Sequence, residues 1–233
     1  MLLKASKISC GYEKTKIVEN CDIYLKKGQI ASIVGPNGAG KSTAMKAIFG
    51  LLPLFEGKVF FNNEDISNLK PQERVLKGMS FVPQTNNIFP SMTVEENLEM
   101  GGFIRKKGIK ETIHQVYELF PVLNEKKSQV AENLSGGQRQ QLAFGRALMT
   151  NPMFLMLDEP SAGVSPKIMD ELFNKVREIS KKGVSILMVE QNAKQALKIS
   201  DIGFVLTQGK NKFIDSGKKL LSNPEVRESF LGG

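Results

Sequence analysis

One short stretch, IVGPNGAGKST from Ile33 to Thr43, restricts the fold more tightly than any other part of the chain. Gly35, Gly38 and Gly40 carry no Cβ, so backbone N–H groups there can turn inward and wrap a run of phosphates, with Pro36, Asn37 and Ala39 completing the loop. Lys41 then offers a cation to the β and γ phosphates, Ser42 offers a hydroxyl to Mg²⁺, and Thr43 continues the same turn. Such a loop needs a buried strand to deliver it and a helix to receive it. Both are present, because the apolar run Gln29–Gly35 precedes it and the helical AMKAIFG follows.

The runs Gln29–Gly35, Phe154–Pro160 and Ser185–Gln191 are nearly continuous in apolar residues, as parallel strands buried on both faces are. IGFVLTQG adds another strand, and Gly57–Ile66, bounded by turn residues, fits an antiparallel or edge segment. Helical stretches between these runs give an α/β sandwich. The rhythm changes at Thr93. Thr93 and Glu96 stand at capping-box spacing, and Ile113, Val116, Tyr117 and Phe120 then repeat at i, i+3, i+4 and i+7. The pattern predicts a helical subdomain, about residues 93–150, inserted between two core strands of one domain covering 1–233.

A formal net charge of +8 admits nucleic acid, anionic lipid or phosphate ligands. The charges come as scattered pairs, such as Lys106-Lys107 and Lys181-Lys182, and no block of the length of a nucleic-acid arm occurs, so no nucleic-acid partner is expected. Cys10 and Cys21 match no metal or redox spacing and read as two inert thiols. The N-terminus lacks a long apolar run and a small-residue cleavage site, and no stretch is apolar enough to span a bilayer; a cytoplasmic location is the expectation.

Asp158 ends the strand FLMLD, where a carboxylate can reach Mg²⁺ beside the phosphate loop. Glu159 follows at once, aimed the other way by strand alternation, and suits polarising an attacking water. A second feature is LSGGQRQQLAFGRAL, Leu134 to Leu148. Ser135, Gly136, Gly137 and Gln138 open a helix whose Phe144, Ala147 and Leu148 fall at i, i+3 and i+4. Free N–H groups, a hydroxyl and the helix dipole make an anion site there, in a chain that already holds a better one.

These three motifs, in this order, resemble the Walker A, Walker B and signature segments of the nucleotide-binding domain of ABC ATPases, and the resemblance covers essentially the whole chain. It implies a P-loop NTPase fold with a parallel-sheet core, an N-terminal antiparallel β layer and an inserted helical subdomain carrying the signature. It implies ATP and Mg²⁺. Tyr12 resembles the aromatic that stacks on adenine, and Gln84 in FVPQ the glutamine that senses Mg²⁺ and water. The signature of one cassette would cover the γ-phosphate held by a second cassette, so Ser135, Gly136, Gly137 and Gln138 would act in trans.

Two departures narrow the resemblance. Gln191, in VEQN, stands where many relatives have a histidine, and an amide can hydrogen-bond a phosphate or a water without gaining a charge. The chain's single histidine, His114, falls in the helical insertion and is expected on a helix surface. Ser165, in SAGVSP, stands where the family often has Asp. With FPSMTVEENL and the terminal NPEVRESFLGG, these features resemble the ATPase subunits of branched-chain amino acid importers. That likeness implies two transmembrane permease subunits, a second and different ATPase, an extracytoplasmic solute-binding protein acting indirectly, and a place on the inner face of the cytoplasmic membrane. An importer of urea or amides and a soluble non-transport ABC ATPase are the alternatives.

Overall fold

The computed structural model describes residues 1–231. The chain opens with a long hairpin, β1 (Leu3–Tyr12) and β2 (Thr15–Leu25), then enters β3 (Ile30–Val34) and α1 (Lys41–Phe49). A second hairpin, β4 (Leu54–Phe61) and β5 (Glu64–Asp65), leads through α2 (Pro71–Leu76) to β6 (Met79–Val82). Four helices follow: α3 (Val94–Gly101), α4 (Ile109–Leu119), α5 (Pro121–Glu125) and α6 (Gly136–Leu148). The remainder alternates as β7 (Phe154–Asp158), α7 (Pro166–Lys181), β8 (Ser185–Val189), α8 (Ala193–Ile199), β9 (Ile202–Thr207) and β10 (Lys210–Asp215), ending in short helices from Gly217.

Two sheets result. One is antiparallel, in the order β2-β1-β4-β5, and forms the N-terminal β layer. It contains the segment Gly57–Ile66, whose antiparallel pairing agrees with the sequence reading. The other runs β10-β9-β3-β8-β7-β6, with β9 through β6 parallel and β10 antiparallel at the edge. Each central strand divides its side chains between two cores. Ala31, Ile33, Phe154, Met156, Leu187 and Val189 meet α1 and the antiparallel layer. Ile30, Val34, Leu155, Leu157, Ile186 and Met188 face α7, α8 and the helical insertion. Burial on both faces is why these strands lack polar alternation in sequence.

The helical insertion occupies the connection between β6 and β7, which are adjacent in the parallel sheet. Thr93 caps α3 through the backbone of Glu96, and the Glu96 carboxylate accepts from the Thr93 N–H, the box read from their spacing. Ile113, Val116, Tyr117 and Phe120 are buried together with Leu142 and Phe144 of α6. Among the described residues no helix is long and apolar enough to cross a membrane.

The parallel arrangement decides where chemistry can occur. The carboxyl ends of β3, β6, β7 and β8 lie along one edge of the sheet, and those ends with the loops leaving them carry the phosphate loop, Gln84, the Asp158-Glu159 pair and Gln191. Ligands of open α/β sheets bind outside that edge.

Candidate functional site

The phosphate loop is held open by backbone shapes that side chains resist. Gly35 has φ +148°, and a Cβ there would lie 2.1 Å from the carbonyl oxygen of Leu206 on β9. Gly40, at φ +90°, forms the N-cap of α1 in the left-handed region. The helix therefore starts with its unpaired N–H groups and positive dipole end aimed into the loop. Lys41 is buried, and its Nζ donates to the carbonyls of Gly35 and Pro36, both at 3.0 Å. Burial lowers its pKa, offset in part by the carboxylates of Glu159, Asp158 and Glu190. A phosphate entering the loop competes with those two carbonyls for the ammonium hydrogens.

Ser42, one residue further into α1, donates from Oγ to Asp158 Oδ1 at 2.6 Å. Asp158 is buried; desolvation raises its pKa above the ordinary carboxylate range, against the hydrogen bond from Ser42 and the charges of Lys46 and Lys41. One hydroxyl and one carboxylate fit Mg²⁺, which takes oxygen ligands, keeps several waters and shares substrate phosphate oxygens. No cluster of three or more His, Cys, Asp or Glu side chains able to hold a metal unaided occurs among the described residues.

Glu159 corrects the alternation argument. It lies beyond the end of β7 with φ +49°, so the left-handed backbone, rather than the strand pleat, sets its direction. Its Oε2 accepts from Gln84 Nε2 at 2.7 Å and from Gln191 Nε2 at 2.8 Å. The two amides, delivered by β6 and β8 on either side of β7, thus meet on one carboxylate oxygen. Glu159, Gln84 and Gln191 share with Asn37, Gly38, Ala39, Gly40, Lys41, Ser42 and Thr43 the lining of a cavity of about 300 Å³. A larger cavity of about 390 Å³, between α4 and α7, contains none of the phosphate-loop residues, Asp158, Glu159 or Ser135–Gln138.

The signature segment stands apart from this cavity. Ser135 Oγ accepts from the Gln138 N–H at 3.3 Å, and Gln138 Oε1 accepts from the Ser135 N–H at 3.1 Å, a reciprocal cap that opens α6. The cap uses the hydroxyl lone pair and the amide oxygen, while the N–H groups of Gly136 and Gly137 remain without intrahelical acceptors. Gly137 is required by packing, since a Cβ there would lie 2.7 Å from Ile168 Cγ2 on α7. Gly136 is exposed, and a Cβ there would meet nothing within 4 Å. The fold of this chain gives no reason for glycine at that position.

Other sequence expectations are placed as follows. Tyr12 ends β1 and is 46% exposed, outside the lining of the phosphate-loop cavity. His114 lies on the exposed side of α4, as expected. Ser165 is the N-cap residue of α7, but its side chain makes no capping bond. Cys10 and Cys21 are free and buried, and burial pushes both thiols up to about 12, away from reactivity. The last two glycines of NPEVRESFLGG lie outside the described residues. Sequence reasoning missed Glu190, a buried carboxylate directly behind this site.

A glycine-shaped phosphate loop at the edge of a parallel sheet, with Ser42 joined to Asp158, defines a P-loop nucleotide-binding protein. Its kind is narrower than that. The ABC transporter family model matches residues 18–162, and this chain belongs to the ABC transporter family. It is 40% identical over 233 residues to the high-affinity branched-chain amino acid transport ATP-binding protein BraG of Pseudomonas aeruginosa, covering 100% of both chains. It is 38% identical to the probable branched-chain amino acid transport ATP-binding protein LivF of Archaeoglobus fulgidus, covering 99% of each. Among solved structures, the ADP conformation of an ATP-binding cassette of an ABC transporter superposes with a TM-score of 0.89 at 33% identity, covering 100% of this chain and 99% of that one.

Proposed function

We propose that this chain is the ATP-hydrolysing subunit of an importer of branched-chain amino acids. The observation that carries the reaction is the convergence on one cavity of a phosphate loop, Ser42 with Asp158 hydrogen-bonded behind it, and a carboxylate held by two amides. The amino acid assignment rests on full-length likeness to BraG and LivF. The whole chain acts as one cassette, with residues 93–150 as its helical subdomain.

In this reading the loop from Gly35 to Gly40 binds the ATP phosphates through backbone N–H groups, Lys41 neutralises the β and γ oxygens, and Thr43 lines the same turn. Tyr12 stacks on the base. Ser42, Asp158 and Gln84 would hold Mg²⁺, which when bound would neutralise charge on the phosphate oxygens. Glu159 accepts a proton from the attacking water at its carboxylate. Gln191 and Gln84 orient that carboxylate and the water by hydrogen bonds, and neither contributes charge. Ser135, Gly136, Gly137 and Gln138 close over the γ-phosphate of a second ATPase, a different chain in the pairing proposed here. Shutting water out between two chains strengthens each of these electrostatic contacts.

The permease contact belongs beside the Gln84 loop. A groove of about 280 Å³ lies there, lined by Phe81, Pro83, Met100 and Phe103 among others. Phe103 on its rim is 76% exposed and Leu76 nearby on α2 is 72% exposed, an apolar surface suited to a protein partner. Two permease subunits would dock here at the inner face of the cytoplasmic membrane, with the solute-binding protein acting from the far side.

Uptake of labelled leucine, isoleucine and valine tests the reading. Cells deprived of this chain are expected to lose that uptake, to recover it with the intact gene, and to remain deficient with Glu159→Gln. Retained leucine uptake with lost urea or amide uptake would transfer the motor to the alternative importer. Recovery of the chain with ribosomal RNA and no membrane protein would remove the transport reading altogether.

A further inference from the structure

Behind the Glu159 carboxylate lies a second one. Glu190 immediately follows β8, is 1% exposed, and continues the parallel ladder through its N–H to the Ile33 carbonyl. Its Oε1 accepts from the Ser161 N–H at 3.0 Å, and its Oε2 accepts from the Ser161 hydroxyl at 2.8 Å and the Gln191 N–H at 3.2 Å. One buried side chain therefore grips two segments: the turn that leaves Glu159 towards α7, and the loop that carries Gln191. The Glu159 backbone is tied to the same strand end, its N–H donating to the Val189 carbonyl at 2.9 Å.

We propose that Glu190 is a positioning residue for hydrolysis, locking the Ser161 turn to the Gln191 loop so that the Gln191 amide stays on the Glu159 carboxylate. The inference rests on the role given to Glu159 above. A carboxylate suits the place because all three facing groups are donors, and an ionised carboxyl is acceptor-only. Burial raises the Glu190 pKa, and the hydrogen bonds from Ser161 and Gln191 oppose that rise. Glutamine at this position fails at one contact in either orientation, since its NH₂ group must face the N–H of Ser161 or that of Gln191. Freed from Glu190, the Gln191 loop and the Ser161 turn move independently, and the two-amide grip on Glu159 loosens. Motion of the Ser161–Pro166 segment when a second chain approaches would reach Gln191 through the same side chain.

Steady-state hydrolysis of Mg-ATP by the full chain paired with the second ATPase tests this with a double-mutant cycle. Glu190→Ala is expected to lower kcat about fivefold with KM for ATP changed less than about twofold, and to add under about twofold in a Gln191→Ala background. Glu190→Gln, which retains two of the three contacts, should fall between wild type and Glu190→Ala, and it serves in the cycle if the alanine variant does not fold. Equal losses in both backgrounds, or a raised KM at unchanged kcat, would overturn the positioning role. Failure of the underlying reading looks different: Glu159→Gln would then hydrolyse ATP at the wild-type rate.

Discussion

At the residue scale the site ranks its own members. Glu159 is the carboxylate proposed to take the proton from water, whereas Gln191 and Gln84 only donate hydrogen bonds to it. Glu159→Gln should therefore lower turnover by about 10²-fold or more, the usual contribution of a positioned general base. Gln191→Ala should cost about tenfold, the loss of one hydrogen bond to a charged group. Single-turnover hydrolysis of both variants checks the order, and equal losses would reverse the roles assigned to amide and carboxylate. Lys41, Ser42 and Asp158 were legible in the sequence because motif spacing and an apolar strand fix where they end. The direction of Glu159 was not, because a left-handed residue after the strand interrupts the alternation on which that reading relied. Nor was Glu190. A glutamate following an apolar run reads as a solvated strand end, and only the fold reveals the three donors around it.

At the element scale, α6 is the informative helix, because its two opening glycines answer to different constraints. Gly137 has Ile168 of α7 against it and no room for a methyl group, so overpacking costs about 1–3 kcal/mol in Gly137→Ala. Gly136 has open space, and alanine there favours the helix by up to about 1 kcal/mol. Gly136→Ala should accordingly unfold at the wild-type temperature or above it, yet hydrolyse ATP more slowly, because the added methyl stands where a second chain's phosphate would approach. Thermal melts beside turnover measurements separate the two effects. Wild-type turnover in Gly136→Ala would return the segment to the ordinary duty of a helix cap, which its Ser135–Gln138 box already performs. The helical insertion itself was readable from Thr93 and Glu96 and from the 3.6-residue period of Ile113, Val116, Tyr117 and Phe120. That the two strands it separates, β6 and β7, are neighbours in the sheet was not, since strand order in a parallel sheet is set by contacts distant in sequence.

At the scale of the whole molecule, the two segments proposed to bind phosphate have unequal means. The loop at Gly35–Lys41 has glycine geometry, a buried cation, and the Ser42–Asp158 pair close by. The α6 start has only backbone donors and a hydroxyl, and it lies outside the lining of the phosphate-loop cavity. A surface of the second kind binds a phosphate weakly by itself and gains strength when another chain presents one already held and partly dehydrated. Association should then depend on ATP and persist when hydrolysis is blocked. Glu159→Gln with ATP, alone or with the second ATPase, is expected to sediment as a pair of cassettes, about twice the 25.8 kDa of this chain when the partner is a second copy. With ADP the pair should separate, because the γ-phosphate proposed to bridge loop and signature is gone. Gly136→Ala placed in the Glu159→Gln chain should weaken that pairing without lowering the monomer's melting temperature. A trapped variant that stays monomeric with ATP under every partner combination, while its wild-type counterpart turns ATP over at full rate, would show that one polypeptide completes the site unaided.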